Sequence, residues 1–220
     1  MILRRSIPAL LIVAAAAAAA QDHVEVDNPW VRVLRVKQDP HEKRPMHDQP
    51  ASVSVYLTGV DQRFTGEDGK AREVKHKAGD VAYASSVKRA EENLSAKPLE
   101  LVLIELKPDA PKPISPPDAL DPVRLDPVKL DPKHHIVLFE NDRVRVLRTI
   151  LEPHLKSPMH EHPHYVVVYI TELHATQKLG DGRLVDNPRK PGEVAWREAL
   201  KHETENIGDH TAVEIQVELK

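Results

Sequence analysis

The chain has 220 residues, 40% of them apolar, with 31 Lys and Arg against 34 Asp and Glu and no cysteine. That length holds one large or two small β domains. A formal charge of −3 offers no basic surplus to neutralise phosphates, which argues against a nucleic-acid partner. The missing cysteine excludes disulfides, thiolate nucleophiles and Cys-ligated metals.

The first segment, 1–20, reads as a secretory signal peptide: Arg4 and Arg5, an uncharged run over 6–20, then Ala18, Ala19 and Ala20 before a cleavage point at Gln21. The run is short for a bilayer span. The mature chain is therefore expected to be secreted or periplasmic without stable membrane insertion, the alternative being an uncleaved anchor. No cysteine follows the run, which excludes a lipoprotein anchor. Losing Arg4 and Arg5 takes the side-chain balance from −3 to −5.

The rest is one unit written twice. NPWVRVLR at 28–35 matches NDRVRVLR at 141–148, and KRPMHDQPASVSVYLT at 43–58 matches KSPMHEHPHYVVVYIT at 156–171. AGDVAY at 78–83 matches PGEVAW at 191–196, and LVLIELK at 101–107 matches EIQVELK at 214–220. Every pair is 113 positions apart, which chance does not produce. Two homologous modules follow, 22–107 and 135–220.

Within each module the pattern is that of strands. VRVLRV alternates, VSVYLT and VVVYIT are β-branched and aromatic, and Gly-containing turns punctuate them. The stretches 87–94 and 200–207 are read as turns entering strands. Between the modules, 108–134 is proline-dense with a short LDPV[RK] repeat. Proline blocks helix interiors and central strands, so this segment is either a stiff strap, pinned by Leu125 and Leu130, or disordered.

In SPMHEHPHY, His160 and His162 lie two apart, so an extended strand presents both on one face, and His164 shares that nominal face. Imidazoles on one face can converge on a single divalent transition metal of the Zn, Fe, Cu, Ni or Mn kind. Two other readings stand beside this one: a hydrogen-bonded polar lining, and a metal-free small-molecule pocket. The spacing is not the helical pair of a zincin, and Pro163 opposes a helix. Under regular alternation Tyr165 and Tyr169 face away from the histidines.

Two motifs in the second module carry a family resemblance. MHEHPHYVVVYI at 159–170 resembles the H-x-H strand of the cupins, and PGEVAWREALKHETENIG at 191–208 resembles their P-G-[DE]-V…H…N segment, with Gly192, His202 and Asn206 at the family spacing. The resemblance covers both modules and implies an all-β bicupin, two tandem double-stranded β-helix barrels of the jelly-roll kind. It also implies that His160, His162 and His202 occupy three metal-ligand positions. The family's fourth ligand, a glutamate, is missing: Val166 and Val167 stand there, and His164 is the substitute at hand. In the first module the matching positions hold His47, Gln49, Arg89 and Asn93. Glutamine is a poor ligand and arginine stays protonated, so no cation is expected there, and Arg89 is expected to pair with Glu91 or Glu92 or to meet an anion.

The function expected is an exported bicupin that binds a small organic ligand or a metal. The alternative is a mononuclear metal-dependent oxygenase, isomerase or hydrolase with its site in the second module. Glu193, Glu198 and Glu203 are acid–base candidates only by nearness in sequence, and no catalytic residue is assigned. The resemblance also implies a homodimer, or a two-module chain that imitates one.

Overall fold

The computed structural model describes residues 22–112 and 125–220. The signal peptide expected at 1–20 and the linker stretch 113–124 lie outside the described residues. The first module contains β1 (His23–Asp27), β2 (Val31–Gln38), β3 (Lys43–Gln49), β4 (Ser52–Tyr56), β5 (Val60–Gly66), β6 (Ala71–His76), β7 (Val81–Ala84), β8 (Val87–Asn93) and β9 (Leu99–Leu106). One helical turn follows, α1 (Pro127–Leu130). The second module contains β10 (His135–Glu140), β11 (Val144–Leu151), β12 (His160–His162), β13 (Tyr165–Tyr169), β14 (Leu173–Leu179), β15 (Leu184–Arg189), β16 (Val194–Arg197), β17 (Leu200–Asn206) and β18 (Ala212–Leu219). Residues 87–94 and 200–207, expected as turns entering strands, are the strands β8 and β17 for nearly their whole length, without the turn.

Each module is built from two antiparallel sheets with the same strand order. The first has β1-β2-β9-β4-β7 and β3-β8-β5-β6, and the second repeats this as β10-β11-β18-β13-β16 and β12-β17-β14-β15. The start of each repeat explains the asparagine that both copies carry. The Asn28 side-chain oxygen accepts from the backbone N–H groups of Trp30 and Val31, and Asn141 does the same for Arg143 and Val144, so each side chain closes the turn into the next strand.

Period-two alternation decides what each five-stranded sheet buries. Val31, Val33, Val53, Val55, Val102, Ile104 and Leu106 share one face, and their equivalents Val144, Val146, Val166, Val168, Ile215, Val217 and Leu219 share the matching face of the second module. These two apolar faces form a single core between the modules. Polar contacts flank it with the same symmetry: Arg35 donates to the Gly192 carbonyl at 2.6 Å, and Arg148 donates to the Gly79 carbonyl at 3.0 Å. Both glycines sit at positive φ, +85° for Gly79 and +79° for Gly192, a backbone shape other residues adopt only with strain. Trp30 stacks on Trp196 at 5.5 Å, and Tyr83 stacks on Phe139 at 5.0 Å. The two tryptophans are thus aromatics of the junction between modules.

The other half of each alternation points inside its own module. The described end of the linker is ordered against the second module. Asp126 caps α1 by accepting from the Val128 N–H at 3.0 Å, and Pro127 fills the first helical position, where its missing N–H costs nothing. The Leu125 carbonyl accepts from the Glu161 N–H at 2.9 Å, which ties the strap to β12. No helix among the described residues is long and apolar enough to cross a membrane.

Candidate metal centre

β12 pairs with β17 so that His160 stands opposite His202. His162, two residues on, shares the inward face. The result is a cluster in which one ring nitrogen from each of His160, His162 and His202 lies within 4.8 Å of the others, with all three residues buried. Among the described residues this is the one such group of three His, Cys, Asp or Glu side chains.

The partners of each ring leave the same nitrogen free. His160 donates through Nδ1 to the Pro158 carbonyl at 2.7 Å. His162 donates through Nδ1 to Glu218 at 2.6 Å. His202 has its Nδ1 at 3.2 Å from the Thr204 hydroxyl and 3.2 Å from the Gln177 amide. The Nε2 atoms of His162 and His202 are buried with no hydrogen-bond partner. Glu218 accepts the Nδ1 proton of His162, so the Nε2 of that ring is a buried unpaired acceptor, which is costly and which a cation relieves. Burial holds all three imidazoles below their ordinary basicity, and mutual repulsion among the rings pushes His162 and His202 further down. At neutral pH the cluster presents neutral rings with lone pairs, the form that binds a metal.

His164 does not join them. Pro163 ends β12, the chain crosses to the other sheet, and the alternation restarts. His164 lies edge-on to Trp30 at 4.5 Å and 2.9 Å from Glu198, at the junction between modules. The same break overturns the expectation for the tyrosines. Tyr165 and Tyr169 face the module interior, and the Tyr165 ring packs 4.8 Å from that of His162. Val166, at one of the two positions expected for the family's carboxylate, belongs to the core between modules. The carboxylate of this site is instead Glu218, one hydrogen bond away from the ring nitrogens that face each other.

Sequence reasoning missed several residues. His135 is buried, with its ring 4.9 Å from that of His160, and burial followed by the neighbouring His160 pushes its pKa down to about 4. Arg145 holds Glu218 at 2.5 Å and Asp126 at 3.0 Å. Burial alone would weaken this guanidinium, but the two carboxylates outweigh that and keep it charged. Further into the module, Glu214 accepts from Gln216 at 2.7 Å, and burial pushes its carboxyl up to about 7. Arg197 reaches the Asn187 side-chain oxygen at 3.1 Å and the Tyr169 hydroxyl at 3.5 Å, and no ion pair holds it among the described residues. The readable signal was the repeat itself. Glu214, Gln216, Gln177 and Arg197 stand 113 positions after Leu101, Leu103, Phe64 and Ala84, so the second module is polar inside where the first is apolar. Of the nearby glutamates, Glu193 pairs with Arg189, Glu198 with His164 and Glu203 with Lys156, and none faces the cluster.

No protein-family profile matches the chain, and no curated protein matches it by sequence. Solved structures do. AerE from Microcystis aeruginosa is similar at TM-score 0.62 and 11% identity, over 90% of this chain and 97% of that one. Oxalate decarboxylase from Bacillus subtilis at pH 4.6 is similar at TM-score 0.58 and 14% identity, over 86% of this chain and 68% of that one. A cupin domain from Bordetella pertussis is 27% identical over 39% of this chain and 91% of its own, at TM-score 0.37. The chain has a bicupin-like fold, two modules of antiparallel sheets. At such identities the two longer likenesses speak for the fold alone.

The first module keeps the frame and changes the chemistry. His47 makes the contact of its counterpart, donating to the Pro45 carbonyl at 2.9 Å, but it is exposed. Gln49 turns to the Ser52 hydroxyl at 2.8 Å. Arg89 pairs with Glu91 at 2.9 Å and lies 3.9 Å over the Phe64 ring. The position of His135 holds Asp22, which pairs with Arg44 at 2.9 Å. A cavity of about 100 Å³ remains, lined in part by Tyr56, Gln62 and Arg89. The motif asparagines are structural in both modules. Asn93 donates to the Gln38, Asp39 and Lys97 carbonyls, and Asn206 to those of Leu151, Glu152 and His210.

Proposed function

We propose that the second module holds one divalent transition-metal ion on His160, His162 and His202, and that the protein is an exported, mononuclear metal-dependent enzyme acting on a small polar molecule. The observation that carries this reading is the set of ring nitrogens: each Nδ1 is engaged, and the buried Nε2 atoms of His162 and His202 have no partner of their own. When bound, the ion supplies Lewis acidity and open positions for water or substrate. Three neutral imidazoles suit zinc or copper as well as iron, nickel or manganese.

The chain's own residues do the rest. Glu218 fixes the tautomer of His162 so that Nε2 keeps its lone pair, the usual carboxylate–histidine support of a metal ligand. The low exposure of the histidines, 2%, 0% and 3%, keeps bulk water from competing. Arg197 offers a guanidinium to an acceptor on the substrate, and Glu214 holds a proton it can exchange near neutrality. Glu214, Gln216, Gln177 and Arg197, which replace Leu101, Leu103, Phe64 and Ala84 of the other module, support turnover or ligand binding over a purely structural role.

The same low exposure favours a second reading, a non-catalytic metal-binding module. Reconstitution with zinc, manganese, iron, nickel and copper in turn, followed by a screen of small organic acids, amides and esters, separates the two. Turnover with one metal that disappears in His202→Ala supports the enzyme. Tight binding of a metal with no turnover on any of these classes supports the binder.

A further inference from the structure

The linker between two repeats has no counterpart in the repeat itself, yet its described end, from Leu125, packs beside the histidine cluster. Four side chains run in series from it. Asp126 contacts Arg145 with both carboxylate oxygens, at 3.0 and 3.1 Å. Arg145 donates from Nε to Glu218 at 2.5 Å, and Glu218 accepts from His162 Nδ1 at 2.6 Å. Glu218 is 1% exposed, so these are charge-assisted bonds in a dry setting, where they hold orientation strongly. Two further ties press the strap onto the same strand, β12. Leu125 accepts from the Glu161 N–H, and His135, where the strap enters β10, lies edge-on to His160.

The first module is an internal control. It keeps the arginine and the glutamate, Arg32 and Glu105, at the positions of Arg145 and Glu218. No ion pair joins them among the described residues, and the position 113 before Asp126 holds Val13, which carries no carboxylate. Arginine and glutamate alone therefore do not make the bridge. It is made in the module where the strap supplies the second carboxylate.

We infer that the strap is a clamp on the metal centre: Asp126 is a positioning residue that acts through Arg145 and Glu218 to fix the His162 ring, so strap docking and metal binding stabilise each other. The inference rests on the reading of the three histidines as a metal site. Its reciprocity is a thermodynamic necessity, since a ligand that favours the docked arrangement is itself favoured by docking.

The test uses the full mature chain and Asp126→Asn. Asparagine caps a helix as well as aspartate does, so α1 keeps its start while the charged contact to Arg145 is lost. Lys133→Ala, a change in the same strap at an exposed pair with Glu152, is the control. Zinc affinity is measured by competition with a chelating dye. Imidazole nitrogen NMR of the metal-free protein reports the His162 tautomer, and amide exchange follows 126–131 with and without zinc. The expected result is zinc affinity about 10-fold weaker in Asp126→Asn, within the range seen when outer partners of metal ligands are removed. The Nδ1–H signature of His162 should be lost in that variant, and zinc should slow strap exchange in the parent. Lys133→Ala should match the parent throughout. Unchanged affinity and an unchanged His162 signature in Asp126→Asn would overturn the clamp. If the parent binds no metal ion at all, the metal reading falls, and the relay is then decided by the His162 signal in the metal-free protein.

Discussion

Glu214 offers a sharp test of the second module's interior. The residue is 9% exposed, its one hydrogen-bond partner among the described residues is the Gln216 amide, and burial raises its pKa from 4.5 to about 7. A raised folded-state pKa means the native protein holds a proton that the unfolded chain has released. Stability from this group is therefore present at acid pH and is lost as pH rises from 4.5 through 7. The 2.5-unit difference, at about 1.36 kcal/mol per unit, is a cost of about 3 kcal/mol once both states are ionised, and less than about 1 kcal/mol at about pH 5. Glu214→Gln has the shape of the protonated acid and removes that cost. For a chain of this size it should raise Tm by roughly 6 to 12 °C at about pH 8.5 and change it little at about pH 5. Thermal unfolding of parent and variant at the two pH values is the assay. An equal shift at both pH values, or a loss at alkaline pH, would refute the reasoning.

Other outcomes follow from the same geometry. The metal-free protein should lose about 3 kcal/mol between about pH 6.5 and 4 through His135 alone, whose folded-state pKa is pushed down to about 4. Denaturant midpoints across that window check it, and a flat profile contradicts it. Ile215→Ala empties a fully buried position in the core between modules and should cost about 2–5 kcal/mol, with both modules unfolding in one transition. A low-temperature transition for the second module alone would show that the shared core is not cooperative. Arg35→Ala removes a bond to the Gly192 carbonyl and Arg148→Ala its mirror at Gly79. Arg148→Ala should cost about 1–3 kcal/mol in urea unfolding and Arg35→Ala more, because Arg35 also pairs with Glu25 and Glu100, whose equivalents beside Arg148 are Leu138 and Val213.

The duplication made much of the fold legible. A constant offset of 113 placed the strands in pairs, and alternation in VRVLRV and VVVYIT marked faces that the structure buries against each other. Because the two faces cover one another, a homodimer of the whole chain has to use some other surface. Parity failed where covalent geometry intervened: Pro163 ends one strand and re-phases the next, which carries His164 to the junction and Tyr165 inward. His160, His162 and His202 were readable because a motif holds them. His135 and Arg145 were not, because each acts from a strand or strap distant in sequence and neither has a pattern of its own. Glu214, Gln216 and Arg197 could have been found by asking where the two copies differ in polarity rather than where they agree.

The central claim is that three histidines of the second module bind one metal ion. Elemental analysis of the purified mature protein beside the His160→Ala/His162→Ala double variant tests it most directly. About one zinc, iron, copper, nickel or manganese ion per parent chain, absent from the variant, is the predicted result. A parent chain that carries none of these ions, and takes up none when they are supplied near neutral pH, would contradict it.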